Sequence, residues 1–292
     1  MTSRVPLSHY RKTVFHEVIE DYEDTSTSEN LLGEWAIKPE ELYFGKRIVN
    51  EKFHAIYHGK WHGDVVIHSF DMAPHDSKSI ESYYEKVKAL MHIRHENIVS
   101  FMGAAKSSSY LIVTNPVRAE SLYSSQLHLH VAKKMSIAYQ VANALGYLHS
   151  KDIVHGRICS RNVFLEPKVQ LSLLDYAVGQ AHISYSSPQL LESPDYRPSK
   201  SDDIFAFGTL IFELFGGKCP VSEGEIRSGQ ISKYLESFPF TEKLKRIIGS
   251  CWNYEPYGRI PIHQLIHHFQ PGSCLVRRHS TSEPRLDQLG KK

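Results

Sequence analysis

From about residue 42 to residue 113 the apolar positions come in short runs rather than long stripes. Arg47-Ile48-Val49, His54-Ala55-Ile56-Tyr57 and Val65-Val66-Ile67-His68 are rich in β-branched and aromatic side chains and predict short strands. One segment breaks this rhythm. Over Ser79–His92, the residues Ile80, Tyr83, Tyr84, Val87, Leu90 and Met91 fall at helical spacing, which predicts a helix. Beyond Asn115-Pro116 the period changes for good. Met135, Ile137, Tyr139, Val141, Ala142, Leu145 and Leu148 run along a long, mostly buried helix over Ala132–His149, and further helical runs span Asp203–Leu214 and Thr241–Cys251. Strands first and helices afterwards predict an α+β chain with a small β-rich lobe and a larger helical lobe.

The ends read differently. Tyr22–Asn30, rich in Asp, Glu, Ser and Thr, has almost nothing to bury, so residues 1–33 are expected to form a flexible leader. Residues 34–270 are expected to fold, and residues 271–292, where Arg, Ser, Pro and Gly dominate, to form a disordered tail. A chain of 292 residues, 41% hydrophobic and 23% charged, is long enough for one two-lobed core. Its 34 basic and 32 acidic residues leave a net charge of +2, too even a balance for a nucleic-acid or membrane surface. Cys159, Cys219, Cys251 and Cys274 form no CxxC pair, which argues against a disulfide framework or a zinc knuckle and for a reducing interior. The first thirty residues lack an apolar signal core, and no stretch approaches the roughly 20 apolar residues of a membrane span. A cytoplasmic chain is expected, without direct membrane insertion. His263 with His267, and His128-x-His130, have metal-ligand spacing, but no Cys or carboxylate completes either set, so no zinc is expected.

The most specific signal is an ordered series: His155-Gly156-Arg157-Ile158-Cys159-Ser160-Arg161-Asn162-Val163, then Leu173-Leu174-Asp175-Tyr176-Ala177, then Asp203-Ile204-Phe205-Ala206-Phe207-Gly208. In that order and at those separations, the series resembles a protein kinase's catalytic loop, its metal-binding segment and the Asp-bearing helix beneath them. Glu34-Trp35-Ala36-Ile37, Tyr57-His58-Gly59-Lys60-Trp61-His62-Gly63-Asp64, the run Arg94–Ala104 and Arg278-His279-Ser280-Thr281-Ser282-Glu283-Pro284 narrow the resemblance. They are similar to the Raf-like branch of the kinases and, within it, to the kinase suppressor of Ras family. A bilobal kinase-like fold is implied.

The resemblance also shows what has been replaced. The carboxylate that accepts the attacking hydroxyl's proton falls at Arg157, and a guanidinium cannot accept a proton near neutral pH. The lysine that contacts the transferred phosphate falls at Cys159. The three glycines of the phosphate-covering loop fall at Val49, Glu51 and His54, where side chains stand in the way of close backbone approach. The lysine of the third strand is His68, and its glutamate partner on the helix falls at Lys86. Glu85 is one residue off, a rotation of about 100° on a helix. Gln189 stands for the glutamate that normally pairs with Arg259, so the helical lobe is expected to be looser there.

Other positions are retained. Asn162 and Asp175 match the pair that holds Mg²⁺ in kinases, and Thr114 and the segment Asn115–Val117 match the gatekeeper and hinge of the adenine slot, which Val66 narrows by standing where kinases usually have Ala. Whatever ATP and Mg²⁺ the cleft takes is expected to be held weakly. The alternative for the pair is that Asp175 caps a turn and Asn162 bonds loop backbone. His155, Tyr176 and Leu90 are expected to stack as a spine, and Asp203 to cap the catalytic loop.

The resemblance implies a catalytically impaired scaffold of Ras–Raf–MEK–ERK signalling that binds Raf and MEK and promotes Raf activation. It places a side-to-side Raf dimer seam at Arg94, with Trp61 and His62 nearby. Ser282, with Arg278 upstream and Pro284 two residues on, looks like a phosphoserine docking site for 14-3-3 proteins. Membrane recruitment would then come through a partner. The rival readings are a weakly active Ser/Thr kinase acting on MEK and a nucleotide-sensing pseudokinase.

Overall fold

A computed structural model of the chain describes residues 32–272 apart from 73–75, 118–119, 126–128, 177–182, 194, 217–221 and 238. The tail bearing Ser282, His128 and nearly all of the leader lie outside these residues. The upper lobe is a five-stranded antiparallel sheet of β1 (Tyr43–Asn50), β2 (His54–Lys60), β3 (Asp64–Phe70), β4 (Phe101–Lys106) and β5 (Tyr110–Thr114), in the order β1-β2-β3-β5-β4. One face carries Ile37, Leu42, Val65, Ile67, Leu111 and Val113, with Trp61 packed on them. The other face receives helix α1 (Ser77–Met91), which starts where the Asp76 carboxylate accepts the Ser79 amide and buries Tyr83, Val87 and Leu90.

The lower lobe holds α2 (Leu122–Ser125), α3 (Val131–Ser150), a hairpin of β6 (Val163–Phe164) and β7 (Gln170–Leu171), α4 (Pro188–Glu192), α5 (Lys200–Gly216), α6 (Glu223–Arg227), α7 (Glu242–Cys251) and α8 (Ile262–Phe269). Every α5 residue from Asp202 to Phe215 is buried, so this helix is the axis around which the lobe packs. Gly208 makes that possible: a Cβ there would stand 2.4 Å from the Cβ of Cys251 on α7.

The expected α+β, two-lobed architecture is the observed one, with the three named strands and four named helices in place. Leu32, the first residue described, is buried in the main core.

Candidate functional site

The site lies where the loop from His155 to Asn162 meets Asp175-Tyr176 beneath the sheet. Gly156 turns the loop at φ +70°, a backbone conformation that glycine adopts without strain. Buried Asp203 at the start of α5 holds the turn: one oxygen accepts the Gly156 amide at 2.7 Å, and the other accepts the His155 amide at 2.8 Å and His149 Nε2 at 2.9 Å. The expected Asp203 cap is therefore present. His155 Nε2 donates to the Ser172 carbonyl at 2.9 Å while its Nδ1 accepts the Arg157 amide, and burial holds the ring below the usual imidazole range. Cys159 is buried, and desolvation pushes its thiol up to about 12.

Asn162 and Asp175 do come together, but as hydrogen-bond partners of each other. Asn162 Nδ2 donates to Asp175 Oδ1 at 3.1 Å and to the Arg157 carbonyl at 2.8 Å, while its Oδ1 accepts the Tyr176 amide at 2.8 Å. The oxygen that would meet a metal ion is engaged with backbone. Among the described residues no group of three His, Cys, Asp or Glu side chains is placed to hold a metal, His263 and His267 included.

Above the loop, His54 and His68 project from neighbouring strands on the same face and meet, Nε2 to Nδ1, at 3.3 Å. His54 also stacks on Phe70 with ring centroids 4.6 Å apart. Burial holds His68 well below the usual imidazole range, with the charges of His54 and Lys86 adding to the effect, and holds His54 down at about 4. Both rings are thus neutral near pH 7. His68 Nε2 is buried without a hydrogen-bond partner. The turn between β1 and β2 is closed on itself, since the Glu51 amide bonds the His54 carbonyl at 2.9 Å rather than facing a ligand.

Lys86 lies in the wall of a cavity of about 740 Å³ together with Asp175, Arg157, Leu90 and His155. Desolvation lowers its amine to about 8, against the opposing pull of the Asp175 carboxylate. Helix α1 thus brings an amine to the cavity wall that Asp175 shares.

Tyr176 overturns one expectation. It does not stack with Leu90 and His155, and it is not among the residues that line the cavity between them. Its ring packs instead on the cluster of Val49, Ile56, Val66, Val99, Val117 and Phe164, with centroids 4.8 Å from Phe164 and 5.1 Å from His68. Its buried hydroxyl lies beside Thr114. The short neutral His68 leaves room for an aromatic edge where a charged lysine would have needed a counter-ion. In this arrangement the adenine slot framed by Val66, Thr114 and Val117 is filled by the chain itself, and the residues present do not fit Mg·ATP.

The helical lobe is not loosened at Gln189. Arg259 keeps a hydrogen bond to the Gln189 side chain and adds an ion pair to Asp202 at 3.3 Å, both side chains fully buried. Asp202 is further held by the Ser187 hydroxyl at 2.6 Å and by the Ser199 amide at 2.7 Å. A second carboxylate next to Asp203 in sequence was the available signal.

Arg94 is exposed and lies over the ring of Trp35 at 4.7 Å, a contact that the motif Glu34-Trp35-Ala36-Ile37 does not by itself reveal. Trp61 belongs to the opposite face of the sheet, where it donates to Glu41 at 3.1 Å and sits beside exposed His62. Arg94 and Trp61 are thus parts of separate clusters.

A β-rich lobe over a helical lobe, with a loop of this kind between them, defines the protein kinase class. Residues 42–269 match the protein tyrosine and serine/threonine kinase family, and the chain belongs to it. Among its relatives, the serine/threonine-protein kinase A-Raf of Mus musculus is 27% identical over 86% of this chain and 47% of its own length. Human kinase suppressor of Ras 2 is 30% identical over 78% of this chain and 28% of its own length. The chain therefore spans less than half the length of these relatives, both members of the Raf-like branch. No described helix is long and apolar enough to cross a membrane.

Proposed function

We propose that the chain acts by binding rather than by phosphoryl transfer, as a pseudokinase scaffold of a Raf–MEK–ERK cascade. The observation that carries this reading is at the catalytic loop: Arg157 stands where a proton acceptor is needed, and the carboxylate of Asp175 bonds Asn162. The filled adenine slot and the self-bonded loop before His54 support it. What the molecule keeps is the capped loop and the buried lower lobe, which hold a surface in shape without serving a reaction.

The partners that belong to this proposal are a Raf-family kinase side to side, MEK at the helical lobe and 14-3-3 proteins on phosphorylated Ser282, with a cytoplasmic chain reaching the plasma membrane through them; the similarity to Raf-like kinases supports the pathway. Arg94 is the side chain on which the Raf contact is staked. It is exposed, and Trp35 limits the freedom it would lose on binding. Arg94→His is expected to abolish co-purification with a Raf kinase while leaving the melting temperature in place. Undiminished capture by a well-folded variant removes this seam from the proposal.

A further inference from the structure

Nothing in the binding role proposed above needs Lys86. Its side chain is half-buried on helix α1 and forms part of the wall of the cavity of about 740 Å³. Among the described residues, no hydrogen bond or ion pair holds its amine. The rest of the wall divides by chemistry. Phe70, Tyr83, Leu90, Ile112, Ile153 and Leu173 make it largely apolar, while Asp175 and Arg157 bring opposite charges. Poor hydration in such a place, with the Arg157 guanidinium repelling an ammonium, leaves a usable share of the amine unprotonated near neutral pH, in spite of Asp175. Lys88, two residues on and exposed, supplies an internal reference on the same helix.

We propose that Lys86 is an imine-forming lysine, and that the cavity takes an apolar aldehyde whose carbonyl carbon bonds Lys86 Nζ. The unprotonated nitrogen adds to the carbonyl carbon, both amine hydrogens leave with the carbonyl oxygen as water, and a C=N bond replaces the C=O bond. A proton from solvent then makes the imine cationic. Two features of the wall select this chemistry. Asp175 is a counter-charge for a cationic product, whereas a carbamate formed from CO₂ would set a negative charge beside that carboxylate. The apolar side chains give an aliphatic or aromatic tail a place out of water, which a small polar aldehyde does not use. Neither feature depends on a protein partner, so loss of Raf capture leaves the inference standing.

The test treats the purified chain near neutral pH with limiting octanal and sodium cyanoborohydride, which reduces the imine to a stable secondary amine. Peptide mass spectrometry then gives the rate of labelling at each lysine. Lys86 is expected to take label about tenfold or more faster than Lys88. That lead is expected to be about threefold or more larger with octanal than with formaldehyde, which has no tail to bury. Both readings come from the parent chain, so neither depends on a variant that folds. Labelling of Lys86 no faster than Lys88, or a lead no larger for octanal than for formaldehyde, overturns the proposal.

Discussion

Two polar clusters flank the catalytic-loop region, and they differ in how their charges are used. Below it, Asp203 ties His149, His155 and Gly156 together, and Asp202 ties Arg259, Ser187 and Ser199 together, all in the buried interior. Above it, His54 and His68 are neutral and share one contact, and Lys86 stands on the helix with its amine lowered by burial. The lower cluster has the carboxylates a kinase fold needs to hold its loop. The upper one carries His68, Lys86 and the side chains of Val49, Glu51 and His54 at the positions where the resemblance places a kinase's lysine, glutamate and phosphate-loop glycines. Below the loop the buried carboxylates are matched by backbone amides and side chains, whereas above it the two buried imidazoles carry no charge.

The comparison is tested hardest at Asp203. Asp203→Ala leaves two buried amides and a buried histidine without their acceptor, and a loss of about 3–5 kcal/mol is expected, within the range for breaking a buried charged partner. Urea denaturation checks this, and a loss close to that of an ordinary surface change would show that the lower cluster is not what holds the loop. The upper cluster answers to pH. With its folded pKa near 4, His54 stays neutral in the folded chain while the unfolded chain takes up a proton below about 6.5. Stability is therefore expected to fall as pH drops from 6.5 towards 4, by up to about 1.4 kcal/mol per pH unit for each such histidine. Denaturation midpoints at a series of pH values should show the slope, and His54→Phe should reduce it; an unchanged slope would mean that the neutral pair is not the source. The smallest effect is expected at Gln189. Because Arg259 already has Asp202, Gln189→Glu is expected to change stability by about 1 kcal/mol or less, and a large gain would show the ion pair to be incomplete.

Much of the fold could be read from the chain, for reasons visible in particular residues. The helix over α3 announced itself through Ile137, Val141, Leu145 and Leu148, all fully buried at helical spacing. Strand β5 did not, because all of its residues from Tyr110 to Thr114 are buried and no alternation marks it out. At the site, the capping by Asp203 and the approach of Asn162 to Asp175 followed from the order of the motifs. The seat of Tyr176 did not. The place of that ring depends on the space that His68 leaves and on where the Asn162 amide points, which no local pattern encodes. The contact of His54 with His68 needed only the register of β2 on β3, which sets them diagonally on one face.

One replacement on the loop also bears on how the molecule ages. Where the resemblance places the lysine that contacts the transferred phosphate, Cys159 turns inward, and burial that pushes its thiol up to about 12 leaves very little of the reactive thiolate near neutral pH. Peroxide and alkylating agents, which attack the thiolate, are therefore expected to modify that residue far more slowly than an exposed cysteine.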